Sequence, residues 1–278
     1  MKLLSLLVTL SLLSACSSSG KSEGSKSSTT AILLPQSIDD AVNSNYRSTD
    51  NKARDQYRHP SETLEFFGLQ PNMTVVEIWP SAGWYTEILA PYLATKGHYI
   101  AAVSRSTSSE NQGLNKKYAH WMKENPSIAA TIKTTDFNPP SQVDIAPPGS
   151  ADMVLTFRNL HNWMGKHGEK AAFKAFFKAL KPGGVLGFEE HRASPISEDT
   201  SGKSGYVSEA YVIDLAKKAG FKLADKSDIN ANPKDTKNYP EGVWTLPPTL
   251  KLGDKDRDKY LAIGESDRMT LRFVKPRK

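Results

Sequence analysis

The chain has 278 residues, with 36 Lys and Arg against 30 Asp and Glu, a formal net charge of +6. So mild an excess on a mixed-charge surface gives no ground for a nucleic-acid partner. Cys16 is the single cysteine, which excludes an internal disulfide.

The first sixteen residues read as a targeting segment. Lys2 gives a positive start, and residues 3–13 are apolar but too short to span a bilayer stably. Leu13-Ser14-Ala15-Cys16 resembles the lipobox of bacterial lipoproteins. The resemblance implies cleavage before Cys16, acylation of its sulfur and a lasting membrane anchor. It leaves the mature chain no thiolate nucleophile. Ser17 in the next position resembles the sorting signal for the outer membrane, on the periplasmic side. A plain signal peptide with an incidental cysteine is the alternative. Residues 17–34, rich in Ser, Gly and Lys, read as a flexible tether to a domain spanning 35–278.

Within that domain, residues 38–46 suggest a short helix. Residues 54–60 are charged and irregular. Ser61 is the expected N-cap of a helix through Phe67, and Gly68 ends it. An apolar run from Met73 to Ile78, with Glu77 inside it, reads as a buried strand. After a short turn, Trp84, Ile88 and Leu89 recur at helical spacing, predicting a helix over 84–95 that Pro91 kinks. A strand at 98–103, a helix at 111–123 and a strand at 129–135 follow, then a proline-rich loop and a strand at 152–157. An amphipathic helix at 171–180 turns Phe173, Phe176 and Phe177 inward and ends at Lys181-Pro182-Gly183-Gly184, before a strand at 185–190. A helix at 206–219, with Ser208 near its start and Gly220 at its stop, leads into a strand from 221. A long polar insert covers about 230–267, and residues 269–274 read as a last, edge strand.

Strand 73–78, the turn Trp79-Pro80-Ser81-Ala82-Gly83 and the helix Trp84-Tyr85-Thr86-Glu87 resemble motif I of the class I S-adenosylmethionine (SAM) methyltransferases. Within that class they are similar to bacterial predicted methyltransferases carrying W-P-x-x-G-W-Y-T-E. The Leu180-Lys181-Pro182-Gly183-Gly184 turn and the following strand also resemble that family. The resemblance covers about residues 59–276. It implies a seven-stranded, mostly parallel α/β sheet flanked by helices, with the last strand antiparallel. It places Glu77 at the acid that ends the first strand, Gly83 at the last glycine of the cofactor turn, and Trp79 and Ser81 where the first two glycines usually stand. The ribose acid would fall at Val103 or Ser104, neither of them an acid, and Asp136 matches the residue that contacts adenine, unless it is a turn aspartate. Two arrangements of the altered turn are open. The Trp79 ring either fills the place of the methionine moiety, or packs beside the cofactor or under the sheet edge.

The strand at 152–157 resembles motif IV and ends in Arg158-Asn159-Leu160-His161-Asn162-Trp163. The carboxyl end of a central strand is where open α/β sheets bind ligands. His161 is the candidate general base, Asn159 and Asn162 the candidate positioning groups, and Trp163 a wall of the transfer site. The alternative is a loop that these side chains tie to the sheet. Tyr57, Arg58 and His59 either face the site or cap the domain. Glu189, Glu190 and His191 lie at a strand's end, but neighbouring strand side chains point to opposite faces, so no metal site is expected. The implied function is methyl transfer from SAM to a small-molecule acceptor by an envelope protein held through its lipid. A non-catalytic or other small-ligand-binding envelope protein on the same fold is the alternative, since a fold does not fix a function.

Overall fold

The computed structural model describes residues 33–104, 109–195, 199 and 201–277. The signal segment, Cys16 and nearly all of the tether lie outside the described residues. In chain order the elements are helices α1 (Ile38–Asn43), α2 (Thr49–Lys52), α3 (Asp55–Arg58) and α4 (Pro60–Phe67), strand β1 (Thr74–Ile78), α5 (Thr86–Leu93), β2 (His98–Val103), α6 (Ser109–Glu124), α7 (Pro126–Ala129), β3 (Lys133–Asp136) and β4 (Ala151–Phe157). Then come α8 (Leu160–Met164), α9 (Glu169–Ala179), β5 (Leu180–His191), α10 (Glu209–Ala219), β6 (Lys222–Ser227), a 3-10 turn (Gly242–Thr245), α11 (Arg257–Ile263) and β7 (Arg268–Val274).

The seven strands form one sheet in the order β3-β2-β1-β4-β5-β7-β6. β1 to β5 are mutually parallel, and β7 runs antiparallel to both β5 and β6. Alternation along the central strands divides the core in two. Val76, Ile78, Leu186 and Phe188 face Phe173 and Phe176 of α9, while Val75, Tyr99, Leu155 and Val185 face Leu64, Phe67 and Ile88 of α4 and α5. Gly187 lets α4 approach: a Cβ there would stand 2.7 Å from the Phe67 ring and 2.6 Å from Leu155.

The expected architecture holds, with local corrections. β7 is not an edge strand. It inserts between β5 and β6 because its residues are almost all buried, whereas β6 is exposed along nearly its whole length and takes the edge. Ser61 is not the cap of α4; Pro60 occupies the first turn, where a missing N–H costs nothing, and His59 precedes it at φ 39°. The third strand begins at Lys133, since Pro126 starts a helical turn that takes Ala129. Ser208 caps α10 through the Tyr211 N–H, so the segment from Tyr206 is not yet helical. Gly220, at φ 108°, closes that helix as expected.

Candidate functional site

The turn after β1 keeps the backbone of a glycine turn without two of its glycines. Trp79, Ser81 and Gly83 all have positive φ, at 50°, 56° and 87°. For Trp79 and Ser81 that conformation costs on the order of 1–2 kcal/mol each. Part of the return is visible at Trp79. Its backbone N–H bonds Ala102 O at 2.8 Å, its indole N–H donates to Phe137 O at 2.7 Å, and its ring meets Trp163 edge-on at 5.7 Å. The ring packs against the core on the sheet's α9 side. The ring thus packs against the core and at the same time lines the cleft beside the turn.

Trp79, Pro80, Ser81, Val103, Ser104, Asn115 and Tyr118 line a cleft of about 20 Å³ beside this turn. That is room for roughly one water. Tyr118 of α6 lies over the turn, 3.1 Å from where a Cβ of Gly83 would sit. The Ser104 hydroxyl donates to Asn138 at 3.2 Å, and Asp136 ends β3 in register with Val103. Glu77 does not line the cleft. It is buried, and one carboxylate oxygen accepts from Tyr99 at 2.5 Å and from Thr86 at 3.1 Å. Burial raises its pKa to about 7, against the opposing pull of those two hydroxyls.

The loop after β4 is built differently. Arg158 turns the chain at φ 60° while its N–H bonds Glu189 O at 2.7 Å. The Asn159 amide donates to Ile78 O at 2.9 Å and to Thr156 at 3.3 Å, so it fastens the end of β1 to β4. Glu190 organises the next residues. Its Oε2 accepts from the N–H groups of Leu160 and His161 at 2.7 and 3.3 Å, and its Oε1 lies 3.0 Å from His161 Nδ1. With a carboxylate on Nδ1, the neutral ring carries its proton there. Nε2 is then the basic atom, 3.1 Å from the Asn162 amide. Trp163 is not a wall of this site. It is fully buried among Phe137, Phe176 and Trp79, because α8 turns it into the core.

His191 stands beside this pair. Its ring lies 5.6 Å from that of His161, and its Nδ1 is 2.5 Å from the Ser266 hydroxyl. Ligand atoms of His161, Glu190 and His191 come within 4.8 Å of one another. The expectation that the strand pleat keeps Glu190 and His191 apart is corrected: β5 ends at His191 and α8 supplies the third group. The local charge opposes a cation. Burial, then the charges of His161, Arg158, Arg268 and Arg58, push the His191 pKa well below its ordinary value.

Those arginines form the largest charged group of the site. Arg54 and Arg58 donate from Nε to Glu265 at 2.7 and 3.1 Å. Arg268 lies 3.2 Å from Glu189 and 3.5 Å from Glu265, and also donates to Tyr57 O. Arg158 is 3.8 Å from Glu189. Tyr85 stacks on Phe157 at 3.6 Å between ring centres, its hydroxyl buried beside this group. Burial alone would raise the Glu265 carboxyl; the charges of Arg58, Arg268, Arg54 and Arg158 bring it down to about 2.

The sequence left open whether Arg58 faces the site or caps the domain, and gave no role to Arg54, Arg268, Glu265 or Trp244. The polar insert carries two of them: Glu265 in the ion cluster, and Trp244, whose ring meets His161 edge-on at 5.8 Å. The available signal was charge density at 54–58 and in the insert. Nothing local joins segments about two hundred residues apart.

The chain matches no protein-family model and no curated protein. Solved structures are similar in fold. A SAM-dependent methyltransferase from Aquifex aeolicus aligns with TM-score 0.53 and 14% identity, over 80% of this chain and 93% of that one. The [4+2]-cyclase SpnF aligns with TM-score 0.54 and 15% identity, over 80% and 81%. Phosphoethanolamine N-methyltransferase 2 of Haemonchus contortus, in complex with SAM, aligns with TM-score 0.50 and 15% identity, over 86% and 60%. At such identities the likeness is one of fold, and the seven-stranded sheet with its antiparallel seventh strand is the class I SAM-dependent methyltransferase fold.

Proposed function

We propose that the protein is a SAM-dependent methyltransferase of a small acceptor, held on the periplasmic side of the outer membrane through an acylated Cys16. The turn at residues 79–83 carries the reading. Three alternating left-handed residues are maintained there although two of them are not glycine, and strain of this kind persists where surrounding structure over-determines it. The residues fit the cofactor in backbone, beside a small cleft of about 20 Å³ with Tyr118 lying over Gly83. Trp79, Ser81, Gly83 and Ser104 are the candidates to hold SAM, which would supply the methyl group. Glu77, committed to Tyr99 and Thr86, shapes the strand end. His161, oriented by Glu190, accepts a proton at Nε2 from an acceptor that must lose one. Asn162 positions the acceptor, and Asn159 holds the loop.

One observation favours a second reading, a non-catalytic or other small-ligand-binding envelope protein: the small volume of the cleft beside Tyr118. Calorimetric titration of the mature chain with SAM separates the two. Saturable binding, weakened by Trp79→Gly with Ser81→Gly, supports the transferase. No binding by the parent together with binding by the double variant supports the second reading. Loss of lipid labelling in Cys16→Ser is expected for the anchor; persistent labelling overturns it.

A further inference from the structure

Four guanidiniums, from Arg54, Arg58, Arg158 and Arg268, share two carboxylates, Glu189 and Glu265. Among the described residues, the other acids nearby are already committed. Glu190 serves Leu160, His161 and His191, and Asp267 pairs with Arg192 and Lys237. Arg58, Arg268, Glu189, Glu265 and the Tyr85 ring are buried. A buried charge left without a partner is costly, and guanidiniums in excess over carboxylates repel one another.

The unused hydrogen-bonding capacity is concentrated at the same place. Nη2 of Arg54, Nε of Arg268 and the Tyr85 hydroxyl make no hydrogen bond; Nε of Arg158 and Nη1 of Arg268 also make none, though they face Glu189 Oε1 at 3.8 and 3.2 Å. Oε2 of Glu189 also makes none. The cluster's own set is therefore mostly donors, with one acceptor, and Asn230 Oδ1 in the neighbouring cleft is a second unbonded acceptor. The cluster's set matches an oxyanion that carries, or adjoins, one donor hydrogen.

A cleft of about 200 Å³, lined in part by Tyr57, His59, Asn230, Asn232, Glu265 and Ser266, reaches the edge of the ion cluster at one acid, Glu265, and meets the histidine pair at Ser266. The four arginines, Tyr85 and Glu189 lie behind its lining. It lies on a different set of residues from the cleft beside Trp79.

We propose that this cluster binds the oxyanion of a small molecule, a phosphate or a carboxylate, and so orients that molecule against His161. Calling the molecule the methyl acceptor rests on the transferase reading; the oxyanion site does not. The guanidiniums supply charge and forked donors, Tyr85 a neutral donor, and Glu189 takes the ligand's own hydrogen. A divalent cation at His161, Glu190 and His191 is the competing occupant, and three arginines near His191 oppose it.

The test uses the mature chain without SAM, so failure of SAM binding leaves it readable. Inorganic phosphate and succinate are titrated separately against chloride at matched ionic strength, by calorimetry and by melting temperature. One of the two is expected to bind saturably and to raise the melting temperature above chloride; which one names the group. Arg158→Gln and Arg54→Gln, at partly exposed positions, should weaken that binding on the order of tenfold or more, the loss expected for a charged hydrogen bond. Arg268→Met should abolish it where the variant folds. No response beyond chloride in either arm overturns the proposal, as does an equal response in folded Arg158→Gln and Arg54→Gln. Zinc binding that Arg158→Gln strengthens, with no oxyanion response, assigns the site to the cation instead.

Discussion

Glu77 and Glu265 are both buried carboxylates near the carboxyl ends of the parallel strands, and they are pushed in opposite directions. Glu77 has two hydroxyl partners and sits near 7; Glu265 has four guanidiniums around it and sits near 2. The difference shows that neutral hydrogen bonds do not offset the loss of water around a charge, whereas guanidiniums do. The turn side of the site is thus a nearly neutral arrangement. The β5–β7 side stores charge and unspent donors.

The largest test of that contrast is to remove a charge where charges are interdependent. Arg268→Met strips Glu189 and Glu265 of a shared partner and is expected to destabilise the fold by about 3–5 kcal/mol, seen as a lower urea midpoint. A change under about 1 kcal/mol would mean that the remaining arginines suffice. Next in size is the pH response of Glu77. Its folded pKa lies above the unfolded value of 4.5, so the folded state holds more protons between about pH 4.5 and 7. The associated stability is complete below about 4.5 and is lost as pH rises through 7. At one pKa unit per 1.36 kcal/mol the loss is on the order of 3 kcal/mol. Urea midpoints across this range should decline in the parent and decline less in Glu77→Gln. Glu265 has the opposite sign: its contribution is complete above about 4.5 and fades as pH falls toward 2.

Smaller effects belong to the turn. Trp79→Ala removes a half-buried indole and its bond to Phe137, and should cost about 2 kcal/mol in chemical denaturation. Ser81 is exposed and at φ 56°, so Ser81→Gly relieves backbone strain at some expense in unfolded-chain entropy. A gain of up to about 1 kcal/mol is expected; a loss would show that its hydroxyl, 3.3 Å from Trp79 O, holds the turn.

Periodicity and punctuation were enough for the α/β order, the buried β1 and β4, the phenylalanine face of α9 and the glycine stop of α10, because each depends on neighbours within one or two turns. The position of β7 between β5 and β6 depends on pairing among distant segments. The orientation of His161 was beyond sequence for the same reason: Glu190 sets it from 29 residues away. So was the ion cluster, which joins Arg54 and Arg58 to Glu265 and Arg268 across some two hundred residues. The sequence by itself determined the elements and the chemical types available at strand ends. Tertiary structure decided which of those groups meet, because charge pairing and desolvation act through space and only the folded sheet brings the insert, the N-terminal helices and the ends of β4 and β5 together.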